Sequence, residues 1–399
     1  MTRKPALTLE SLETWLNENG IKVRRDLISH TIVVEGLSAA YNPETINNDL
    51  HIIVHNALKH EYICDRGLVA DLLGVIAGKN RFNPVVDLLS NAPAWDGTDR
   101  INELYSILHI PENDMLSRVL LHKWLLQCLA MARNEIDGAY GADGLLVLQG
   151  AQGIGKTTFC KVIAVSPALV KLGQYLDTRD KDTLRRCTSC WICEWGEVET
   201  TLKSDLERLK AFITAEIDEY RLPYGRTDQR IARRTSLIAT CNTPQFLIDP
   251  SGSRRFWTIP VTEIDLDRLA VFDALQLWKQ IEIEVAADRQ CFRLTGAERE
   301  ALAKRNTEHE KPIKAQMEVE DIISTAKEYP SAFVWRYSTV SSFKKEHATL
   351  NVYSVEQIAK ALDKVGIKST RKTIEGKQCR ARYLPHFKTA ITSFDRQTA

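Results

Sequence analysis

A glycine-rich segment at residues 150–157 has the residue types of a loop that binds phosphate groups. Its sequence, Gly-Ala-Gln-Gly-Ile-Gly-Lys-Thr, matches the P-loop pattern G-x-x-x-x-G-K-[ST]. Glycines let the backbone curl so that successive N–H groups point at phosphate oxygens, the lysine adds a positive charge, and the threonine hydroxyl can bind Mg²⁺. The segment therefore predicts a site for a nucleoside triphosphate, most simply ATP, with Mg²⁺. The residues expected around the nucleotide are Gly150, Gln152, Gly153, Ile154, Gly155, Lys156, Thr157 and Thr158.

Two acidic residues, Glu194 and Glu197, follow a short apolar run at residues 191–193. A P-loop ATPase needs an acid at the end of a second strand, where it holds Mg²⁺ and polarises the attacking water. Thr157 and Glu194 are the candidate metal ligands, and both acids and Lys156 are candidate catalytic residues. The spacing leaves open which acid acts through the metal and which acts on the water. The alternative is a pair of solvent-facing carboxylates.

Two further catalytic candidates follow the acidic segment. Asn242 ends the apolar run at residues 236–241, and its amide could hydrogen-bond the γ-phosphate or the attacking water; the alternative is a turn-forming asparagine before Thr243. Arg254 and Arg255 come about ten residues later, and a guanidinium can stabilise the transferring phosphoryl group, often from a neighbouring subunit. The sequence does not choose between the two arginines, and a solvated surface pair is the alternative.

The elements around these residues predict an α/β fold. An apolar strand at 145–148 leads into the loop and a helix at 156–165 follows it, which is the opening of a parallel α/β sheet. A long amphipathic helix is expected at 116–133. The predicted domains are a mixed α/β N-terminal region at 1–105, a P-loop ATPase core at 106–290, and a helical segment with a winged-helix-like domain at 291–399.

The two flanking regions carry their own local patterns. In the N-terminal region the sequence predicts helices at 9–19 and 45–57, a strand at 31–35, and loops through the turn-rich stretch 83–100. Near the C-terminus it predicts a helix that begins with the capping box 295–298. A further helix at 354–365 precedes two strands at 370–374 and 378–384, joined by a turn at 375–377, which is the outline of a winged helix.

Composition indicates a globular protein of a reducing compartment. The chain has 399 residues, of which 44% are hydrophobic and 26% charged, enough for two or three cores. No apolar run approaches the roughly 20 residues that span a bilayer, and no apolar segment of a secretion signal follows the N-terminus. Its nine cysteines are scattered. We therefore expect a cytoplasmic protein with no membrane partner. The spacing of Cys187, Cys190 and Cys193 does not predict a metal site, because no fourth ligand is suitably placed.

Two basic clusters indicate contact with DNA, in single-stranded or double-stranded form. The first lies between the acidic and asparagine segments and holds Arg221, Arg226, Arg230, Arg233 and Arg234, with a hairpin tip expected at 225–228. The second, at 360–388, holds nine Lys and Arg against two acids. Its candidate DNA-binding residues are Arg371, Lys372 and Lys377. The alternatives are an inter-subunit or solvated charge cluster for the first and a solvated basic face for the second.

The order of these motifs resembles the virulence-associated protein E family, a phage- and prophage-associated group related to superfamily 3 helicases and poxvirus-type primase-helicases. The resemblance covers about 95–260. It is carried by the P-loop together with segments at 95–100, 194–197, 209–214, 218–225, 240–242 and 252–257. It implies an AAA+-like core that assembles as a hexameric ring around DNA. It also implies that Asn242 is the sensor, Arg254 or Arg255 the finger, and the first basic cluster a hairpin facing the channel. One departure is that Glu194 and Glu197 are separated by two residues rather than adjacent.

The sequence therefore predicts a DNA-dependent ATPase, a ring-forming DNA helicase of phage or mobile-element replication. One alternative is an ATP-switched factor that binds DNA or remodels an origin without separating strands. Another is a small-molecule P-loop kinase. The kinase is disfavoured because a candidate arginine finger follows the sensor segment and because basic clusters flank the core.

Overall fold

A computed structural model gives the fold of the chain and divides it into two compact units, Met1–Glu310 and Lys311–Ala399. The residues that the structure describes are 4–36, 46–196, 206–221, 228–247, 254–310, 314–374 and 376–388. Within these ranges, no helix is both long and apolar enough to cross a membrane. The domain boundaries expected near residues 105 and 290 stay predictions.

The first part of unit 1 combines helices with a small sheet. Its elements are α1 (Leu9–Glu18), β1 (Lys22–Asp26), β2 (Ile32–Glu35), α2 (Ile46–Leu58), α3 (Arg66–Lys79), β3 (Arg81–Phe82) and α4 (Pro84–Ser90). Strand β1 lies in the middle, antiparallel to β2 and parallel to β3. The predicted helices near 9–19 and 45–57 and the strand near 31–35 are confirmed to within about a residue at each end.

The prediction of loops throughout 83–100 is wrong for its first part, which forms α4. Asn83 caps this helix, because its side-chain oxygen accepts the N–H groups of Val85 at 3.1 Å and Val86 at 3.3 Å. Pro84 occupies the first helical turn, where its missing N–H costs nothing. Val85 and Leu89 are buried. The residues that signal a turn therefore act here as a helix start.

The rest of unit 1 is built on a five-stranded parallel sheet. The strands and helices from residue 100 to 310 are α5 (Arg100–Ile107), α6 (Met115–Ala132), β4 (Leu145–Gln149), α7 (Lys156–Ile163), β5 (Val170–Gln174), α8 (Lys181–Thr188), β6 (Ile192–Trp195), α9 (Leu206–Ile213), β7 (Ile217–Tyr220), β8 (Gln229–Ala232), β9 (Ser236–Cys241), β10 (Phe256–Pro260), α10 (Leu266–Ala270), α11 (Ala274–Ala287) and α12 (Gly296–Glu308). The strand order is β10-β4-β9-β6-β5. The expected α/β fold with a parallel sheet is thus confirmed, as is the capping box at Thr295.

Both faces of this sheet are buried. Leu146 and Leu148 of β4 belong to one apolar cluster, while Leu145 and Val147 belong to a second cluster on the other face. Strands covered on both faces read as continuous apolar runs, which explains why β4 shows no alternation in the sequence. Helix α6 packs on the first face, where the indole N–H of its Trp124 donates to the backbone of β9 at 2.8 Å.

The strand order creates a crevice between β4 and β9. From β4 the chain crosses to the far edge at β5 and returns through β6 to β9, and then passes over to β10 on the other side. The connections that leave β4 and β9 therefore run in opposite directions. In open parallel sheets, ligands bind at such a point, beyond the carboxyl ends of the strands.

Unit 2 combines three helices with a three-stranded antiparallel sheet. Its elements are α13 (Lys314–Glu328), β11 (Phe333–Ser338), α14 (Val340–Glu346), α15 (Val355–Lys364), β12 (Thr370–Ile374) and β13 (Lys377–Phe387). The sheet order is β11-β13-β12. The predicted helix at 354–365 and the two strands after it are confirmed, whereas β11 and α14 were not expected from the sequence.

Candidate functional site

The loop between β4 and α7 is so tightly enclosed that two of its positions require glycine. Gly155 has a φ of 99°, in the left-handed region, and a Cβ there would lie 2.4 Å from Cδ2 of Leu266. A Cβ on Gly150 would lie 2.1 Å from the carbonyl oxygen of Val261. Helix α7 begins directly after Gly155. Its first N–H groups are therefore available to an anion held in the curl of the loop.

Lys156 is buried within this curl. Its Nζ donates to the carbonyl oxygens of Gly150 and Ala151, both at 2.7 Å, and to Oδ1 of Asn242 at 3.0 Å. Asn242 follows β9, so the contact spans the crevice between β4 and β9. The structure thus brings together two residues that the sequence separates by 86 positions.

Glu194 contacts the loop from β6, the strand that pairs with β9 on the side away from β4. It is the penultimate residue of β6 with only 1% of its surface exposed, and its Oε1 accepts the hydroxyl of Thr157 at 2.7 Å. Its Oε2 accepts the N–H of Gly173 at 3.1 Å. Burial, and to a lesser extent this carboxylate, raises the pKa of the nearby Cys160 thiol well above its ordinary value. The thiol is therefore neutral and does not compete with Glu194 as an anionic ligand.

The donor set at this edge fits Mg²⁺. Within the described ranges, no three or more His, Cys, Asp or Glu side chains gather as a closed metal cage. Mg²⁺ prefers oxygen ligands and is usually held by one or two carboxylates together with substrate phosphates and water. The Glu194 carboxylate and the Thr157 hydroxyl are ligands of that kind.

The other residues expected around the nucleotide lie on the same loop and the start of α7. Gln152, Gly153 and Thr158 are exposed, and Ile154 is half-buried. Glu197, the second candidate acid, lies outside the described residues. No sequence pattern pointed to Gly173 or to the enclosing residues Val261 and Leu266, because they are distant in the chain and of ordinary type.

Arg254 and Arg255 lie at the amino ends of the parallel strands, whereas Lys156 and Glu194 lie at the carboxyl ends. They immediately precede β10, which runs parallel to β4 with Phe256 opposite Leu145. The loop with Lys156 follows the other end of β4, about 16 Å away at roughly 3.3 Å per residue. The two arginines instead border a polar cavity of about 350 Å³ that Asp143 and Glu216 also line. One chain therefore cannot bring them to its own Lys156 without a large rearrangement.

The first basic cluster divides into exposed and buried arginines. Strands β7 and β8 pair antiparallel on either side of the expected hairpin tip, which lies, with Arg226, outside the described residues. Arg221 is exposed, and the exposed Arg230 lies 3.3 Å from Glu219 across the pair.

Arg233 and Arg234 are buried at the base of the same hairpin. The Nε and Nη2 groups of Arg233 each donate to one carboxylate oxygen of Asp218. Its Nη1 donates to the carbonyl oxygen of Phe212 at 3.1 Å. Arg234 lies 3.5 Å from Glu135. These two arginines of the cluster are therefore buried and paired within the fold, and the candidate DNA-binding residues of the cluster stay Arg221, Arg226 and Arg230. They fix the hairpin to the core, a pairing that the sequence could not reveal because the partners come from other elements.

The candidate residues of the second basic cluster are all exposed. Arg371 and Lys372 lie on β12, and Lys377 begins β13. The ammonium of Lys372 lies 4.6 Å from the ring centroid of Tyr337 on β11.

Comparisons with known proteins place a described family on most of unit 1. The model of the virulence-associated protein E-like domain matches residues 89–311, more than half of the chain. A comparison with curated protein sequences gave no match. Among solved structures, the apo A form of the NrS-1 C-terminal region is similar with a TM-score of 0.49 and 12% identity, covering 96% of this chain and 100% of that one. A second structure of that region has a TM-score of 0.48 and 12% identity, covering 94% and 98%.

Proposed function

The chain belongs to the virulence-associated protein E-like domain family, and we propose that it is a DNA-dependent ATPase, a ring-forming helicase of phage or mobile-element DNA replication. The observation that carries the proposal is the hydrogen bond from Thr157 to the buried Glu194. It joins a loop suited to phosphates to an acid suited to Mg²⁺, at the crevice where a parallel sheet binds ligands.

Each side chain at the crevice has a distinct part in hydrolysis. Lys156 exchanges its carbonyl partners for oxygens of the β- and γ-phosphates. Asn242 uses its oxygen to hold Lys156, so its NH₂ group is directed to the γ-phosphate or the attacking water. Glu194 and Thr157 would hold Mg²⁺, which would supply positive charge against the charge that develops on the phosphates. Glu197, the second candidate acid, would then act on the attacking water.

The position of the arginines supports assembly into a ring. Because Arg254 and Arg255 lie at the edge opposite Lys156, a finger from this pair can act only on the nucleotide of a neighbouring subunit. A head-to-tail contact repeated by rotation closes a ring. We therefore propose a hexamer in which each interface completes one active site.

DNA contact is assigned to both basic clusters. Arg221, Arg226 and Arg230 would face the channel of the ring on the β7–β8 hairpin. In unit 2, the helix α15 followed by the β12–β13 hairpin supports a winged helix that binds duplex DNA through Arg371 and its neighbours. Contacts of this kind are made with phosphates and weaken as salt concentration rises.

The test is the rate of phosphate release from ATP with and without single-stranded DNA, beside strand displacement on a forked duplex. We expect DNA to stimulate hydrolysis many-fold and the duplex to be separated only when ATP is hydrolysed. Stimulation without separation would identify the ATP-switched factor instead. A stable monomer that phosphorylates a metabolite and ignores DNA would identify a kinase and overturn the proposal.

A further inference from the structure

We infer that the outer face of the sheet in unit 2 is a platform on which the bases of single-stranded DNA stack. The platform consists of Trp335, Tyr337 and Tyr383, with Lys372 at its side. The inference shares DNA as a partner with the proposed function, but it does not rest on the nucleotide site. It also differs from the duplex contact proposed for the basic residues.

The register of the sheet gathers the three aromatic rings on one face. Tyr337 of β11 lies directly opposite Tyr383 of β13, and side chains two apart in a strand share a face. The ring of Tyr383 lies 5.2 Å from that of Tyr337 and 5.8 Å from that of Trp335. The alternate residues of β13, Leu384 and His386, are fully buried and face the core. The exposed rings of Tyr337 and Tyr383 lie on the opposite face, which they share with the buried Ala381 and Pro385, while Trp335 also packs against the apolar core of unit 2.

Two of the three rings are exposed to solvent. Tyr337 has 43% of its surface accessible and Tyr383 has 50%, while Trp335 is half-buried. Aromatic pairs across strands stabilise a sheet. That role alone does not require the ring faces to stay open to solvent. Exposed aromatic rings are surfaces on which proteins stack the bases of a single strand.

The charge beside the platform suits a polyanion. Lys372 lies 4.6 Å from the Tyr337 ring centroid, where it can contact a phosphate while a base covers the neighbouring ring. On the other face of the hairpin, Arg371 and Arg380 are both exposed and lie directly opposite each other. These two charges face away from the platform and add only to the overall positive charge of the hairpin, which attracts a polyanion.

A single strand fits this surface better than a duplex. In a duplex the faces of the bases are covered by their neighbours, so only unstacked bases can lie flat on aromatic rings. Stacking also does not depend on the identity of the base, since each base has an aromatic face. The platform should therefore bind single strands with little sequence preference and should require the bases themselves.

The experiment measures binding of the full-length Lys156→Ala chain, without nucleotide, to a labelled oligo(dT) strand and to an abasic strand of the same length. The abasic strand keeps the phosphates and removes the stacking partners. With wild-type residues at the platform, the chain should bind oligo(dT) about tenfold or more tightly than the abasic strand. The double substitution Tyr337→Ala and Tyr383→Ala should abolish that preference. Tyr→Phe at both positions should retain it, because the ring remains. Tyr329→Ala, which removes an exposed tyrosine elsewhere in unit 2, is the matched control and should change nothing.

Two results would overturn the inference: equal affinity for the two strands before any platform substitution, or an equal loss of affinity for both strands in the platform variant. If the alanine variant does not fold, Tyr→Leu at both positions keeps apolar volume without a flat ring and should lose the preference in the same way. Because no ATP is used and Lys156 is already absent, failure of the proposed hydrolysis would leave this result unchanged.

Discussion

Glu194 is held from two sides at the carboxyl edge of the central sheet. Thr157 donates to one carboxylate oxygen and the N–H of Gly173 to the other, with the side chain almost wholly buried. A buried carboxylate in such a fixed position is suited to hold a metal ion and its bound water at one distance from the phosphates. The chemistry at this site is therefore sensitive to the charge of a single residue.

The first prediction concerns that charge. Glu194→Gln keeps the shape and can still accept the Thr157 hydroxyl, but it removes the negative charge that a metal ion needs. We expect ATP hydrolysis to fall by roughly 10²-fold or more while binding of ATP changes far less. Phosphate release and equilibrium binding of a fluorescent ATP analogue check this. Glu300→Gln, at an exposed position of α12, should leave both unchanged. Hydrolysis by Glu194→Gln at the wild-type rate would exclude Glu194 from the mechanism.

Many individual residues of the candidate site could be predicted, because a phosphate-binding loop and a metal-binding acid allow only a few residue types. The glycines and Lys156 follow a pattern set by backbone geometry. Glu194 near the end of β6 and Asn242 directly after β9 follow apolar runs that form strands in the structure. Arg233 could not be assigned, because nothing in its own segment indicates that Asp218 holds it. Whether an arginine is exposed depends on partners that only the fold supplies.

Among the secondary-structure elements, the turn between β1 and β2 is packed against the base of the β7–β8 hairpin. Its His30 is buried, has a φ of 62°, and lies with its ring edge-on to Tyr220 of β7 at 6.2 Å. Burial, and then the positive charge of Arg234, lowers the pKa of His30 from 6.5 to about 4. The folded chain therefore keeps this histidine neutral at pH values where the unfolded chain protonates it.

The second prediction is a loss of stability in mild acid. Because the folded pKa is lower than the unfolded one, the unfolded chain binds more protons between about pH 6.5 and pH 4, and stability falls as the pH drops through this window. At pH 5 the free energy of unfolding should be about 2 kcal/mol lower on this account. Replacement of His30 by asparagine tests this, because asparagine tolerates the left-handed φ of 62° and does not titrate.

Urea unfolding at pH 7 and pH 5 measures the effect. His30→Asn should lose less stability between the two pH values than the wild type loses. His109 offers a matched control, since it also has a positive φ, 49°, but is exposed. His109→Asn should keep the wild-type pH dependence. An unchanged dependence in His30→Asn would contradict the prediction.

Elements were predictable where apolar residues recur regularly and less so where turn residues open a helix. The helices α1, α6 and α15 follow their predicted spans closely, because their patterns are long. Helix α4 was missed because Asn83 and Pro84 signal a loop and a helix start equally well. Strand β11 was not predicted, although its aromatic residues Phe333, Trp335 and Tyr337 alternate with Val334, Arg336 and Ser338.

At the scale of the whole molecule, the strand order β10-β4-β9-β6-β5 separates the candidate residues into two groups. Lys156, Glu194 and Asn242 gather at the carboxyl edge, and Arg254 and Arg255 lie at the amino edge. No sequence pattern gives this order, because it depends on how connections cross the sheet. If one of these arginines is the finger, this separation means that it must act on the nucleotide of a neighbouring subunit.

The third prediction is that two inactive variants restore each other. Lys156→Ala lacks a working nucleotide site, and Arg254→Ala with Arg255→Ala lacks the finger, so each alone should hydrolyse ATP poorly. In a ring mixed at equal amounts, about a quarter of the interfaces would join an intact loop to an intact finger and regain activity. Phosphate release from the mixture measures this recovery.

The control mixes the arginine variant with a chain that lacks both Lys156 and the two arginines, in which no interface is complete. That mixture should remain inactive. If the first mixture also stays inactive although both variants assemble, the arginines do not act between subunits and the proposed ring active site is wrong.

The most direct measurement is phosphate release from ATP by Lys156→Ala beside the wild type, with Mg²⁺ and single-stranded DNA present. Lys161→Ala, at an exposed position on the same helix, is the matched control. Loss of a group that stabilises the transferring phosphoryl typically slows a reaction by roughly 10²–10³-fold. A fall of that size in Lys156→Ala, with Lys161→Ala at the wild-type rate and both variants folded, is the predicted result. Undiminished hydrolysis by Lys156→Ala would show that ATP is not hydrolysed at this loop.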